Sequence, residues 1–119
     1  MQHKELRVVE GEACVEKVVL TGSVEAVCPV TGMVDLYRVI VEYKPSSAGR
    51  VCRYIEALSF HFYLQSYKGR KILQEELTAT IVRDFCEALG GGEVKVVTEG
   101  YHGPVGMRAE ASGRCGGSA

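Results

Sequence analysis

Between Lys71 and Leu89 the apolar residues Leu73, Leu77, Ile81, Phe85 and Leu89 recur at four-residue steps. That period lays one apolar stripe along a helix and leaves the other faces polar. Gly90-Gly91-Gly92 follows at once, and glycine there ends a helix. A helix with a single stripe must bury it against a second layer. The flanking segments supply that layer. Ala13 to Val27 alternates and is rich in β-branched residues, with a bulge or bend expected at Thr21-Gly22-Ser23. Leu36 to Tyr43 reads as a second strand, and Pro45 to Gly49 as a turn or loop. Ile55 to Tyr67 changes to helical spacing through Glu56, Phe60, Tyr63 and Tyr67, and Lys68-Gly69-Arg70 breaks it. Glu93 to Thr98 and Val105 to Ala111 are the third and fourth strands, turned by Gly100 to Pro104.

The order β-β-α-α-β-β predicts an α+β fold with an antiparallel four-stranded sheet and both helices on one face. One domain is expected over residues 1–119, with 1–12 read as a loose arm or an edge strand and 113–119 as a flexible tail. A small open sheet has two edges to cover. Joining sheets between subunits covers them, so a ring-like homo-oligomer is expected.

A net charge of −1 excludes binding to nucleic acid through bulk electrostatics. Two local basic groups remain: Lys68, Arg70 and Lys71, and then Lys44, Arg50 and Arg53. Each reads either as a solvated face or as a phosphate contact. No apolar run approaches the roughly 18 residues of a membrane span. The charged start Met1-Gln2-His3-Lys4-Glu5 has no apolar signal region, so a cytoplasmic protein is expected. The five cysteines are odd in number and include no C-x-x-C pair, which supports neither zinc nor a disulfide framework. Cys14, Cys52, Cys86 and Cys115 are read as reduced thiols, structural or incidental, and no metal is expected.

Cys28 stands apart. It ends an apolar run in front of Pro29, a turn through Thr31-Gly32 follows, and Asp35 opens the next run. The residue before proline is held extended. A thiol so placed can meet the Asp35 carboxylate in one pocket, as nucleophile beside acid. The alternative is a buried, inert cysteine.

Cys28-Pro29-Val30-Thr31-Gly32-Met33-Val34-Asp35 resembles the active-site motif of the 7-cyano-7-deazaguanine reductases, nitrile reductases of the tunnelling fold. The stretch from Glu56 to Leu64 is similar to that family's Glu-Ser-Lys-Ser-x-Lys-x-Tyr-Leu, and Gln74-Glu75-Glu76 stands where the reductases carry His-Glu. The lysines that hold NADPH phosphates in the reductases are replaced here by Leu58 and His61, and the late Pro-Arg-Gly-Gly turn by Pro104-Val105-Gly106. That combination resembles the reductase-like archaeosine synthases, which convert a tRNA-borne nitrile to a formamidine with ammonia.

The resemblance implies Cys28 as the nucleophile of a thioimide and Asp35 as acid and base. Glu75 would take the paired donors of the deazaguanine, with Glu56 and Gln74 in support. His61 either lines the former cofactor groove or is a plain surface histidine; His102 is given no role. The resemblance also implies ammonia as co-substrate, no NADPH, and pentameric rings stacked to a decamer. For tRNA, Lys68, Arg70 and Lys71 come first as contacts, then Arg50 and Arg53. Two other readings stand beside it: an NADPH-dependent nitrile reductase, and a non-catalytic protein that binds a purine or tRNA.

Overall fold

Every second residue of the strand Val34–Lys44 is buried: Asp35, Tyr37, Val39, Val41 and Tyr43. A strand turns alternate side chains to opposite faces, so this one packs a single face against a second layer. It is β3 among the elements of the computed structural model, which describes residues 6–116. The others are β1 (Val8–Gly11), β2 (Val18–Val27), β4 (Ser46–Ala48), β5 (Val51–Ile55), α1 (Ala57–Gln65), α2 (Gln74–Leu89), β6 (Glu93–His102) and β7 (Val105–Arg114).

The main sheet is antiparallel in the order β2-β3-β6-β7. The α2 stripe residues Leu77, Ile81, Phe85 and Leu89 are fully buried against Val39, Val41, Val94 and Val96, and Phe60, Tyr63 and Leu64 of α1 join the same core. The opposite face carries cross-strand ion pairs such as Lys95–Glu110 at 3.7 Å and Lys44–Glu93 at 3.9 Å. Both helices therefore cover one face, as expected. Gly22 does not bend β2; it pairs in register with Val39. A Cβ there would lie 2.7 Å from Leu64 Cδ1, so the glycine permits the close approach of α1.

Several boundaries differ from the sequence reading. A second, small sheet, β1-β5-β4, was not expected. Ile55 belongs to it, paired with Val8, so α1 starts later than its period suggested. Residues 8–11 thus form an edge strand, while residues 1–5 lie outside the described residues. Ser46–Ala48, read as a turn, pairs with β5. Nor are Gly113 to Cys115 a loose tail. Gly113 and Arg114 extend β7, and Cys115 is buried with its N–H donating to Gly92 O at 2.8 Å.

The cysteines give the largest correction. Cys14 is bonded to Cys52, and Cys86 to Cys115. The odd number resolves into two bridges and one free thiol, Cys28, among the described residues. The partners stand 38 and 29 residues apart, so only the folded topology brings them together. The Cys86–Cys115 bridge ties the end of β7 to α2. Closing loops of this length contributes about 2–4 kcal/mol each.

Glu56 caps α1. Its Oε2 accepts from the Leu58 N–H at 2.8 Å and its Oε1 from the Ser59 N–H at 2.8 Å. Those two donors, Leu58 first, hold its carboxyl below the usual carboxylate range.

Denatured but unreduced protein should take up one alkyl group per chain, and five after reduction; five without a reductant would refute both bridges. The depressed Glu56 carboxyl stabilises the fold above the ordinary carboxylate range, and that part is lost as pH falls through the folded value. Glu56→Gln should therefore lower the melting temperature at neutral pH, and the gap from wild type should close in acid.

Candidate active site

The register of β2 against β3 pairs Ala26 with Asp35. Two residues beyond Ala26, Cys28 falls on the same side of the sheet, and Asp35 shares that side with Tyr37. The turn between the strands is tight. Cys28 N–H donates to Met33 O at 2.9 Å, and Gly32 N–H to Cys28 O at 2.8 Å. Gly32 has φ +76°, a conformation that side chains rarely adopt.

The connection between the helices closes the site from the other side. Val27 N–H donates to Arg70 O at 2.8 Å, and Ile72 N–H donates to Val27 O at 3.1 Å. This short parallel bridge docks residues 70–72 on β2 and carries the start of α2 up to the thiol. The result is a cleft of about 220 Å³ whose lining includes Cys28, Asp35, Tyr37, Gln74, Glu75 and His102. A larger depression of about 330 Å³ at the far end of the sheet is lined by Lys17, Glu42, Lys44, Glu93 and Arg114, which pair with one another. It contains no nucleophile, so the smaller cleft is the candidate.

The thiol of Cys28 is held below its ordinary value by hydrogen bonds from the Thr31 hydroxyl first, then from the backbone of Thr31 and Val30; burial and Asp35 oppose this. Thr31 Oγ1 accepts from the Met33 N–H at 3.2 Å, which leaves its own hydrogen free for the sulfur. The lowered value favours thiolate, the nucleophilic form.

Asp35 is 9% exposed. The Tyr37 hydroxyl donates to its Oδ2 at 3.1 Å. Burial, and next the Asp35 carboxyl, push Tyr37 far above the ordinary phenol value, so it stays protonated and donates. His102 Nδ1 lies 3.7 Å from the same Oδ2. The other ring nitrogen, Nε2, is 2.8 Å from Gln74 Oε1. Gln74 is 1% exposed, and its Nε2 faces Thr98 O at 3.2 Å, Thr98 Oγ1 at 3.1 Å and Met107 O at 3.2 Å.

The fold and this cleft invite comparison with known proteins. No family model matches the chain. The crystal structure of the archaeosine synthase QueF-Like in the apo form superposes with a TM-score of 0.73 and 30% identity, covering 90% of this chain and 100% of that one. The archaeosine synthase of Pyrobaculum calidifontis is 33% identical over 93 residues, 78% of this chain and 79% of that protein. The chain belongs to the QueF-like family. The NADPH-dependent 7-cyano-7-deazaguanine reductase of Thermotoga maritima is 36% identical to this QueF-like chain over 76 residues, but these span only 53% of that protein.

In the QueF-like chain Cys28, Asp35, Gln74 and Glu75 share the cleft. Glu56 and His61 are not among its lining residues; Glu56 caps α1, and His61 is exposed on α1 beside Phe62. The basic residues separate as well. Lys68, Lys71 and Arg50 are exposed. Arg70 stacks on the Tyr67 ring at 4.7 Å, and Arg53 donates to Ala88 O at 3.3 Å near the end of α2. Sequence reasoning missed Tyr37 and His102. Tyr37 was findable, two residues beyond Asp35 and so on its face of the strand. His102 was not, because only the β3–β6 pairing and the helix start bring it in.

Thr31→Val removes the largest cause of the lowered thiol while keeping its shape. The pH profile of iodoacetamide alkylation at Cys28 should move to higher pH; an unmoved profile would exclude the Thr31 hydroxyl as the cause.

Proposed function

We propose that this QueF-like protein is an archaeosine synthase, acting on 7-cyano-7-deazaguanine carried in tRNA. The Cys28 thiolate adds to the nitrile carbon while Asp35 gives a proton to the nitrile nitrogen, which leaves a covalent thioimide. Ammonia then adds to the same carbon, and Asp35 takes up the proton that the incoming nitrogen loses. The carbon–sulfur bond breaks, Cys28 leaves as thiolate, and the base carries a formamidine. Net, one nitrile and one ammonia combine, and nothing is oxidised or reduced. Glu75 accepts the paired donors of the deazaguanine, with Gln74 behind it. Glu56 and His61 stand outside the cleft of one chain, so any contact of theirs with substrate runs across a subunit boundary.

The observation that carries this reading is the meeting of Cys28, Asp35 and Glu75 in one cleft, while Leu58 and His61 stand exposed on α1 where the reductases use phosphate-binding lysines. An aliphatic side chain neutralises no phosphate, so NADPH is not expected. The coverage of the synthase, 79% of its length, supports the same choice. The edge strands β2 and β7 are ten residues long each and, apart from the bridge at Val27, pair with no further strand within the described residues. Sheets joined edge to edge into pentameric rings, stacked as a decamer, would pair them. Such rings repeat each basic patch, and Lys68, Lys71 and Arg50 then offer tRNA several weak contacts at once, with Arg70 and Arg53 less free to do so.

Intact mass after incubation with free 7-cyano-7-deazaguanine tests the first step. Wild type should gain the mass of the base, Cys28→Ala should gain none, and Asp35→Asn should form the adduct about 100-fold more slowly or worse. Turnover of nitrile-bearing tRNA by ammonium alone is expected. NADPH oxidation with the free base would instead make the protein a reductase.

A further inference from the structure

Gln74 decides how the imidazole of His102 is protonated. The amide nitrogen of Gln74 faces two carbonyl oxygens, Thr98 O and Met107 O, both at 3.2 Å. Its own oxygen could not sit there without repulsion, so the amide orientation is settled. The hydroxyls beneath agree. Thr78 Oγ1 donates its single hydrogen to Gln74 O at 2.7 Å. Thr98 Oγ1, 2.7 Å from Thr78 Oγ1, must then be the donor of that pair and remains an acceptor for the Gln74 amide. Gln74, Thr78 and Thr98 are each at most 1% exposed, so water does not compete. Gln74 Oε1 is thus a fixed acceptor aimed at His102 Nε2, which must carry a hydrogen.

The consequence falls on the other ring nitrogen. Neutral His102 presents the Nδ1 lone pair to Asp35 Oδ2, 3.7 Å away. A lone pair facing a carboxylate repels it, so this contact is favourable only with a proton between Nδ1 and Oδ2. The other groups around the ring do not remove this constraint. Tyr37, with its ring centroid 5.8 Å from that of His102, already donates to Asp35 Oδ2. Cys28 and Glu75 line the same cleft, and neither stands between Nδ1 and Asp35. Distances of this kind commonly tighten when substrate fills a site.

We propose that His102 is the proton partner of Asp35. A single proton is relayed: Nδ1 passes it to Asp35 as Asp35 protonates the nitrile nitrogen, and Nδ1 later receives, through Asp35, the one removed from the ammonia nitrogen, with Gln74 dictating that Nδ1 does both. The two transfers cancel over one turnover, so the pair ends as it began. His102 acts through Asp35 and is a positioning and relay residue rather than a catalytic one. The inference rests on the reaction proposed above, but the tautomer does not.

Two measurements test it. In wild-type protein, long-range proton–nitrogen NMR of the imidazoles should find His102 with a hydrogen on Nε2; a neutral ring whose hydrogen sits on Nδ1 alone overturns the proposal with no variant needed. In single-turnover reactions with the free nitrile base, His102→Gln keeps an N–H donor toward Gln74 but cannot titrate. Its rate of Cys28 adduct formation should fall about tenfold to a hundredfold, and its pH profile should change shape. An unchanged rate and pH profile in His102→Gln overturns the relay. No adduct in wild type would overturn the proposed reaction itself, and the relay with it.

Discussion

The register between β2 and β3 is the constraint on which the rest depends. Side chains alternate along a strand, so a slip of one residue would send Asp35 and Tyr37 to the charged face and Cys28 away from the cleft. The slip is prevented by what the same face buries. Val24, Ala26, Val39 and Val41 lie under the two helices at 2% exposure or less, and a slipped register would trade them for residues of the ion-pair face. Hydrophobic burial therefore fixes the geometry of the polar site without touching it.

A second constraint is local. The single parallel bridge at Val27 holds the interhelical segment on the sheet edge, and α2 begins three residues after Lys71. Gln74 and Glu75 enter the cleft from that start. Gln74 is buried and locked by sheet and helix hydroxyls; Glu75, its neighbour, is exposed and free to meet a ligand. One helical turn thus supplies both a buried floor and an exposed carboxylate.

Local signals were legible in the sequence, and pairing was not. The four-residue stripe located α2, and the turn with its thiol and acid located the heart of the cleft. The α1 period ran two residues early because Ile55 suits either a helix or a strand, and only its pairing with Val8 decides. Ser46–Ala48 has the composition of a turn, and it becomes a strand because β5 lies beside it. Gly22 looked like a flaw in a strand, but its missing side chain answers Leu64 on another element. His102 and both disulfides depend on residues far apart in the chain. No window of sequence contains them, and spacing rules for cysteine do not reach across 38 positions.

The bridges bear on chemical selectivity as well as on stability. A sulfur already bonded to sulfur offers no lone thiolate to an electrophile. With four cysteines spoken for, a reactive carbon that reaches this protein finds one free thiol among the described residues, and it is the one beside Asp35. Oxidation elsewhere in the chain thereby keeps stray adducts off the rest of the molecule.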